Sequence, residues 1–536
     1  MSLLCIPIAV EASAEIPLAL ERAARARVLG ARLIEWRCDG LADDDNALDA
    51  IARLVRESPL PSLVTIRSSE EGGTCALDEN ARLALLARVA RASDAPRMID
   101  VEFDAMRADI VRGLLTVATA ANAEVTDPDA QPTRIVASSH DFLGRPTDLM
   151  RRVAAMQEDP LVSVVKIAWT ARSVRDNLEA FDILSTRTKP TIALLMGEFG
   201  LMSRVLAPKF GGFLTFASDA KGTATAPGQP TVRELRDLYR FNSVQPSTKV
   251  FGVIGWPVAH SRSPSFHNAR FREANYDGVF LPIPVPAEWE HFKATLGAII
   301  DHEKLDFSGA SVTLPHKEHL VRFVQERGGT VDADAAWLGA ANTLLVAPDA
   351  ASPQRKLFAT NTDMQAAVEV LTAAFATRGK TLEGARIAVL GAGGVARAVA
   401  GGLACAGANV AVFNRTHERA QSVARDLTGR VITRADGTTF TTRVIARAME
   451  LLGCDEMHAI VNCTSVGMEG GDDALKSALP DEVHVDNTMI VMDTVYAPKI
   501  TPFLRGARAR GATCIDGETM FARQAELQSA LFVQRW

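Results

Sequence analysis

The chain has 536 residues, more than one hydrophobic core usually holds, so two or three domains are expected. Its 58 basic and 64 acidic residues leave a formal net charge of −6, with no basic surplus for nucleic acid or an anionic membrane surface. No apolar run is long enough to span a bilayer, and Met1 leads almost directly into a strand-like run without a basic stretch and cleavage site, so a soluble cytoplasmic protein is expected.

The seven cysteines, Cys5, Cys38, Cys75, Cys405, Cys454, Cys463 and Cys514, are scattered and form no C-x-x-C. Such a set suits a reducing compartment and indicates neither a metal site nor a disulfide framework.

From the N-terminus, β-rich runs at 3–10, 32–37, 62–67, 97–103, 133–139, 161–169, 191–196 and 212–217 alternate with Ala/Leu/Arg-rich helical patterns. Eight strands separated by helix-length segments predict an α/β fold, here a (β/α)8 TIM barrel. In that fold, polar residues at strand C-terminal ends converge on one mouth. Glu35, Arg37, Arg67, Glu71, His140, Lys166, Arg204 and the segment 223–229 fall there, the pattern of a site for a polyhydroxylated or anionic ligand.

Lys166 carries the sharpest inference, because its apolar neighbours Val164, Val165 and Ile167 offer its ammonium little water. Desolvation favours the neutral amine, the nucleophile that forms a Schiff base with a ketone. The plain alternative is a lysine that snorkels from the strand end or pairs with a mouth carboxylate. His140 on the neighbouring strand favours chemistry, since an imidazole moves protons at neutral pH.

These segments, Glu35-Trp36-Arg37-Cys38-Asp39, Thr65-Ile66-Arg67 through Glu71-Gly72-Gly73, Ser139-His140-Asp141, Val165-Lys166-Ile167-Ala168, Met196-Gly197 with Ser203-Arg204, and Ala226-Pro227-Gly228-Gln229, resemble the type I 3-dehydroquinate dehydratases. The resemblance implies that Lys166 forms an imine with the substrate ketone. His140 would take the proton from the adjacent carbon and return one to the departing hydroxyl, with Glu71 orienting it. Arg204, Thr225 and Gln229 would hold the substrate carboxylate, and Glu35, Arg37 and Arg67 its hydroxyl side. Thr225 stands where several relatives carry serine.

A helix over 231–241 is predicted next, with Thr231 as its cap and Leu235, Leu238 and Tyr239 on one face. The polar, proline-containing stretch 242–248 reads as a linker.

Beyond it, a strand over 249–255 leads into Ser261-Arg262-Ser263-Pro264, whose two hydroxyls precede a helix start. Lys317 falls in the first turn of another helix, an electrostatically unfavourable place for a cation, which suggests retention for function. Asn342-Thr343 and Asn361-Thr362-Asp363 end strand-like runs, and Asp363 could pair with Lys317 for proton handling. A strand over 386–390 then meets Gly391-Ala392-Gly393-Gly394, with a helix from Val395, a G-x-G-x-x-A turn suited to a pyrophosphate. A glycine-rich turn without ligand is the alternative. The next strand, 409–413, ends at Asn414-Arg415-Thr416 with Arg419 a turn on. No acid stands there to repel a 2′-phosphate and two guanidiniums are available, which points to NADP(H).

This half, from residue 249 to the end, resembles shikimate dehydrogenase, including Asn462 to Met468, Asp493 to Tyr496, and Asp516 to Met520 with Gln524 and Gln528. The resemblance implies that Lys317 and Asp363 are the catalytic pair. Ser261, Ser263, Thr313, Asn342, Tyr496, Gln524 and Gln528 would bind substrate. Gly391, Ala392, Gly393, Gly394, Val395, Asn414, Arg415, Thr416, Arg419, Met468 and Gly517 would bind NADP(H). Ser311 stands where single-function bacterial relatives usually have asparagine and looks like the fused plant enzymes. Met364 replaces the more usual glycine.

The resemblances together imply a barrel over 1–241, a linker over 242–248, a substrate-binding lobe over 249–364 completed by 515–536, and an NADP-binding Rossmann domain over 365–514. The module order is that of the plant bifunctional enzyme, so a mature plastid form and a bacterial fusion are both open. The expected partners are 3-dehydroquinate and 3-dehydroshikimate or shikimate, with a monomer or homodimer and no metal. The rivals are a quinate-preferring dehydrogenase and a regulator that keeps both folds without chemistry. The second is disfavoured by the presence of Lys166, His140, Lys317 and Asp363.

Overall fold

The computed structural model describes residues 2–107, 112–113, 115–116, 133–349, 352, 354–453, 456–480 and 483–534. Met1 and Cys454 therefore lie outside the described residues. The chain divides into two compact units. One is Met1–Lys249 with the short segments Asp277–Pro284 and Lys304–Asp306, and the other holds the remainder.

The first unit is built on eight strands: β1 Leu3–Ala9, β2 Leu33–Arg37, β3 Ser62–Thr65, β4 Met98–Glu102, β5 Arg134–Asp141, β6 Val164–Thr170, β7 Thr191–Met196 and β8 Leu214–Phe216. They lie in the order β7-β6-β5-β4-β3-β2-β1-β8, and each pairing between named strands is parallel. At the seam, Phe213 N donates to Thr191 O at 2.8 Å, which draws the start of β8 to the start of β7. Strands of a barrel alternate inward and outward, and the inward residues near the strand starts form a dry plug. Cys5, Leu33, Leu63, Met98, Val136, Val164, Ile192 and Leu214 make it.

The helix expected over 231–241 departs from prediction. Thr231 caps it as anticipated, with Thr231 Oγ1 bonded to Glu234 Oε2 and accepting from Glu234 N. The turn over Glu234–Leu238 is wider than α-helical, however, and Tyr239 N reaches back five residues to Glu234 O at 3.0 Å. The stretch that follows is held rather than loose: the buried Lys209 Nζ donates to Pro246 O and Thr248 O, both at 2.8 Å.

In the second half the strands are β9 Lys249–Gly255, β10 Gly278–Pro284, β11 Phe307–Val312, β12 Thr330–Val331, β13 Thr343–Ala347 and β14 Lys356–Thr360. β11 pairs parallel with β9 and antiparallel with β13, and β13 pairs antiparallel with β14. The strands β15 Arg386–Leu390, β16 Asn409–Phe413, β17 Val431–Thr433, β18 Thr439–Thr441, β19 Val444–Arg447, β20 Ala459–Asn462, β21 Ile490–Asp493 and β22 Thr513–Ile515 follow. Six of them form a parallel sheet in the order β19-β16-β15-β20-β21-β22, while β17 and β18 make a separate hairpin.

In this sheet Ile387 and Val389 pack into one core and Ala388 and Leu390 into another, so both faces are covered, as a parallel sheet requires. The chain leaves β15 for β16 on one side and later returns to β20 on the other. This switch point opens a crevice at the strand C-terminal ends. The C-terminal helix Gly517–Val533 packs back on the helices Thr362–Ala376 and Ser263–Glu273 and on β11 and β13. Among the described residues no helix is long and apolar enough to cross a membrane.

Candidate active sites

Because the side-chain period of a strand is two, the position two beyond a plug residue also faces the barrel axis. From Leu33 come Glu35 and Arg37; from Leu63, Thr65 and Arg67; from Met98, Asp100 and Glu102; from Val136, Ser138 and His140; from Val164, Lys166. The mouth is thus a charged layer set on a dry one.

Lys166 is 6% exposed. Its Nζ lies 2.8 Å from Asp100 Oδ2, 3.3 Å from Glu35 Oε1 and 4.7 Å from the centre of the Phe216 ring. The dry setting expected for it is present, and so is the pairing with mouth carboxylates named as the alternative. Two buried carboxylates hold the amine in an ion pair. Asp100 is clamped in turn by Arg67, whose guanidinium donates to Oδ1 at 2.8 Å, and by Ser138 Oγ at 2.6 Å. Burial alone would raise this carboxyl, but Arg67 and Lys166 outweigh it and hold it well below the usual carboxylate range.

His140 lies within β5 rather than after it, and its Nδ1 is 2.8 Å from Glu71 Oε2. Burial, reinforced by Arg67 and Lys166, pushes the imidazole well below its ordinary value. Burial also pushes Glu71 up to about 8; Arg67 opposes this, and the charges of Glu102 and Asp100 add to it. A protonated Glu71 donates to Nδ1, whereas an ionised one accepts from Nδ1–H and leaves Nε2 free as a base.

Arg204 is 3% exposed, its Nε has no hydrogen-bond partner, and burial pulls its guanidinium down to about 10. Gln229 Oε1 accepts from Thr225 N at 2.9 Å and from Thr225 Oγ1 at 3.3 Å, which leaves its buried Nε2 without a partner. The loop carrying Thr225 and Gln229 is tied to the end of β7 through Gly197 N, which donates to Pro227 O at 3.1 Å. Two unspent buried donor groups, one of them cationic, fit a carboxylate ligand. Arg37 instead turns to Asp39 Oδ2 at 2.5 Å.

In the second unit, Lys317 opens the helix Lys317–Glu326 and Asp363 lies in the first turn of Thr362–Ala376, whose cap Asn361 accepts from Asp363 N at 3.0 Å. Both side chains are buried, and Lys317 Nζ donates to Asp363 Oδ2 at 2.5 Å. The expected pair is therefore formed. The glycine turn runs beside it: a Cβ on Gly394 would come within 2.9 Å of Lys317 Cβ. Gly391 takes φ +112° and donates to Phe413 O at 2.7 Å, which turns the chain sharply into the helix Gly394–Cys405. Arg415 and Arg419 are exposed and neither is ion-paired among the described residues. A glycine cradle, a helix start and two unspent guanidiniums fit a phosphorylated dinucleotide.

The other expected substrate residues fall into two groups. Tyr496 stands beside Ser261 with its ring 5.3 Å from that of Phe521, Thr313 is half-buried, and the half-buried Gln524 accepts from Asn342 Nδ2 at 3.4 Å. Asn342 and Gln528 are largely spent inside the protein. Gln528 Nε2 donates to Asn342 O at 3.0 Å and Thr343 Oγ1 at 2.9 Å, while its Oε1 accepts from Ser311 Oγ at 2.8 Å. Ser311 therefore fixes the Gln528 amide. Ser263 N donates to Ser261 Oγ at 3.3 Å, Met468 lies in the loop after β20, and Gly517 opens the C-terminal helix against Val495 O. Met364, unexplained from sequence, packs against the Rossmann core over Gly402.

Sequence reading missed Asp100, Glu102 and Ser138, although the strands that carry them were identified. The signal was the alternation M-I-D-V-E, which puts two acids on the inward parity of Met98. Among the described residues no group of three or more His, Cys, Asp or Glu is placed to hold a metal.

Comparison with known proteins agrees with both halves. The family model for type I 3-dehydroquinase matches residues 4–246, that for the shikimate dehydrogenase substrate binding domain residues 253–344, and that for shikimate/quinate 5-dehydrogenase residues 374–448. The chloroplastic bifunctional 3-dehydroquinate dehydratase/shikimate dehydrogenase of Arabidopsis thaliana is 34% identical, over 99% of this chain and 82% of its own length. The shikimate dehydrogenase (NADP(+)) of Paramagnetospirillum magneticum is 38% identical over 52% of this chain and 90% of its own, and that of Methanocella arvoryzae 36% over 51% and 89%. The chain belongs to the family of bifunctional 3-dehydroquinate dehydratase/shikimate dehydrogenases.

Proposed function

We propose that this chain performs two consecutive steps of the shikimate pathway: dehydration of 3-dehydroquinate in the barrel, and NADPH-dependent reduction of 3-dehydroshikimate to shikimate in the second unit. The observation that carries the reading is a buried lysine amine and a carboxylate-held histidine on inward positions of the neighbouring strands β6 and β5, Lys166 lying opposite Ser138 and His140 one inward step beyond it.

In the barrel, Lys166 Nζ attacks the ring ketone and forms an imine, which acts as the electron sink. His140 takes the proton from the adjacent carbon, and the departing hydroxyl leaves as water with a proton returned from the imidazole. Glu71 holds the ring through Nδ1. Arg204, Gln229 and Thr225 receive the substrate carboxylate. Glu35 and Arg37 face the hydroxyl side, while Arg67, engaged by Asp100 and Ser138, acts there through its charge.

In the second unit, Ser261, Ser263, Thr313, Tyr496 and Gln524 orient the ring, with Asn342 and Gln528 supporting them. Bound NADPH supplies the hydride. Lys317, held by Asp363, gives a proton to the oxygen that becomes the new hydroxyl. The glycine turn at 391–394 with Val395 takes the pyrophosphate, and Asn414, Arg415, Thr416 and Arg419 the 2′-phosphate. Met468 and Gly517 would complete the hold on the cofactor.

A coupled assay from 3-dehydroquinate, following enone absorbance and NADPH loss, tests both steps. Absence of either change removes that activity, and a faster rate on quinate than on shikimate would replace the second substrate. A cytoplasmic location, or a plastid one for a mature plant form, and a monomeric or homodimeric state belong to the same reading. Cell fractionation and sedimentation test them.

A further inference from the structure

The barrel mouth holds two carboxylates within reach of Lys166, and their surroundings differ. Glu35 Oε1 accepts from Thr65 Oγ1 at 2.8 Å and lies 3.3 Å from Nζ. Asp100 is closer, at 2.8 Å, fully enclosed, and fixed through its other oxygen by Arg67 and Ser138. Its position is set by two neighbours that do not themselves need the lysine.

We propose that Asp100 is the fixed counterion of the Lys166 nitrogen, balancing the ammonium before reaction and the protonated imine after it. The inference rests on the imine reading above. In that step the Nζ–C bond forms and the carbonyl C–O bond breaks. Two of the three ammonium protons leave with the oxygen as water, and one stays on nitrogen with the positive charge. Charge at Nζ is thus the same at the start and the end, and a carboxylate that stays ionised throughout serves both. Arg67, with Lys166 and His140, keeps Asp100 ionised, and the bonds from Arg67 and Ser138 fix its position, so it is suited to hold charge rather than to shuttle protons. The Phe216 ring on β8, 4.7 Å away, offers the charge a π-face but no counter-anion.

The other charged and titratable groups around Nζ come from Cys5 on β1, Glu35 on β2, Arg67 beyond β3 and His140 on β5. Of these, Glu35 alone is a carboxylate, and it is more distant than Asp100.

The test is borohydride trapping of the Lys166 adduct with 3-dehydroquinate across pH, measured by mass, in the wild type and in Asp100→Asn. Borohydride reduces the protonated imine, so the alkaline limb of trapping reports its acidity. The amide should move that limb to lower pH by about 1–3 units, the size of shift that an adjacent opposite charge imposes. A merely structural role would lower the yield of trapped protein and leave the limb in place.

If the wild type forms no adduct, the imine reading fails and the counterion falls with it. If the wild type is trapped and the Asp100→Asn limb coincides with it, the counterion alone is overturned. Should Asp100→Asn not fold, Ser138→Ala carries the test. Losing the hydroxyl leaves Asp100 Oδ1 held by Arg67 alone and loosens the carboxylate's position beside Nζ, so the limb should move in the same direction by a smaller amount. An unmoved limb there overturns the proposal.

Discussion

Gly394→Ala is expected to disable the dehydrogenase and spare the dehydratase. The new Cβ would lie 2.9 Å from Lys317 Cβ and 3.1 Å from its Cδ. Carbon atoms ordinarily meet at about 3.5–4.0 Å, so the lysine stem or the helix Gly394–Cys405 must give by roughly 0.5–1 Å. Lys317 Cβ is part of a helix start and cannot swing away as a flexible tip would. The displacement therefore passes to Nζ and its bond with Asp363. Overpacking of this kind costs about 1–3 kcal/mol, and a misplacement near 1 Å in a catalytic group can cost about 100-fold in rate. The expected loss is about 10- to 100-fold in kcat for shikimate oxidation. Glycine-to-alanine in a helix would otherwise stabilise by about 0.5–1 kcal/mol, so the sign distinguishes steric conflict from helix propensity. Enone formation from 3-dehydroquinate, measured on the same preparation, is the internal control for folding of the barrel. A dehydrogenase kcat within about twofold of wild type, a barrier change under about 0.5 kcal/mol, would refute the reasoning.

Arg204→Leu should raise the KM for 3-dehydroquinate about 10- to 150-fold, the equivalent of about 1.5–3 kcal/mol for a charge-assisted hydrogen bond, while raising the barrel's melting temperature by removing an uncompensated buried cation. An unchanged KM would exclude it from carboxylate binding. Dehydratase kcat/KM should climb as pH rises through about 8, where Glu71 ionises and frees His140 Nε2, and Glu71→Gln should abolish that limb. The same raised carboxyl contributes stability that is fully present below its ordinary value and lost as pH rises through about 8, so denaturant midpoints should fall over that window in the wild type more than in Glu71→Gln. Arg415→Ala with Arg419→Ala should lower kcat/KM for NADPH about tenfold or more and leave NADH almost unaffected; an equal loss for both cofactors would place the arginines away from the 2′-phosphate.

Much of the site was readable in advance because its signals are local. Lys317, Asp363, the 391–394 turn and the arginines after β16 each stand at a strand end or a helix start, where chain order alone limits what a side chain can face. The barrel mouth was less legible. His140 and Lys166 stand out by intrinsic reactivity, whereas Asp100 is an ordinary acid that faces the mouth only because of its parity with Met98. The sequence left open which carboxylate would meet Lys166, since its immediate neighbours are apolar and its partners come from β2 and β4. The internal bonds of Gln528 to Asn342 and Thr343 were equally out of reach, because those partners lie far away in sequence.

The sequence by itself determined the run of eight strands, the dinucleotide turn and the chemical types gathered at the mouth, since these follow from side-chain period, from missing Cβ atoms and from intrinsic reactivity. Only the tertiary structure decided which charges meet. Lys166 finds Asp100 across 66 positions and Glu35 across 131, and Ser311 fixes Gln528 across 217. Coulomb and steric energies depend on separation in space, which is set when the strands close into a barrel and the C-terminal helix folds back, and none of these three distances is written in any local window of the chain.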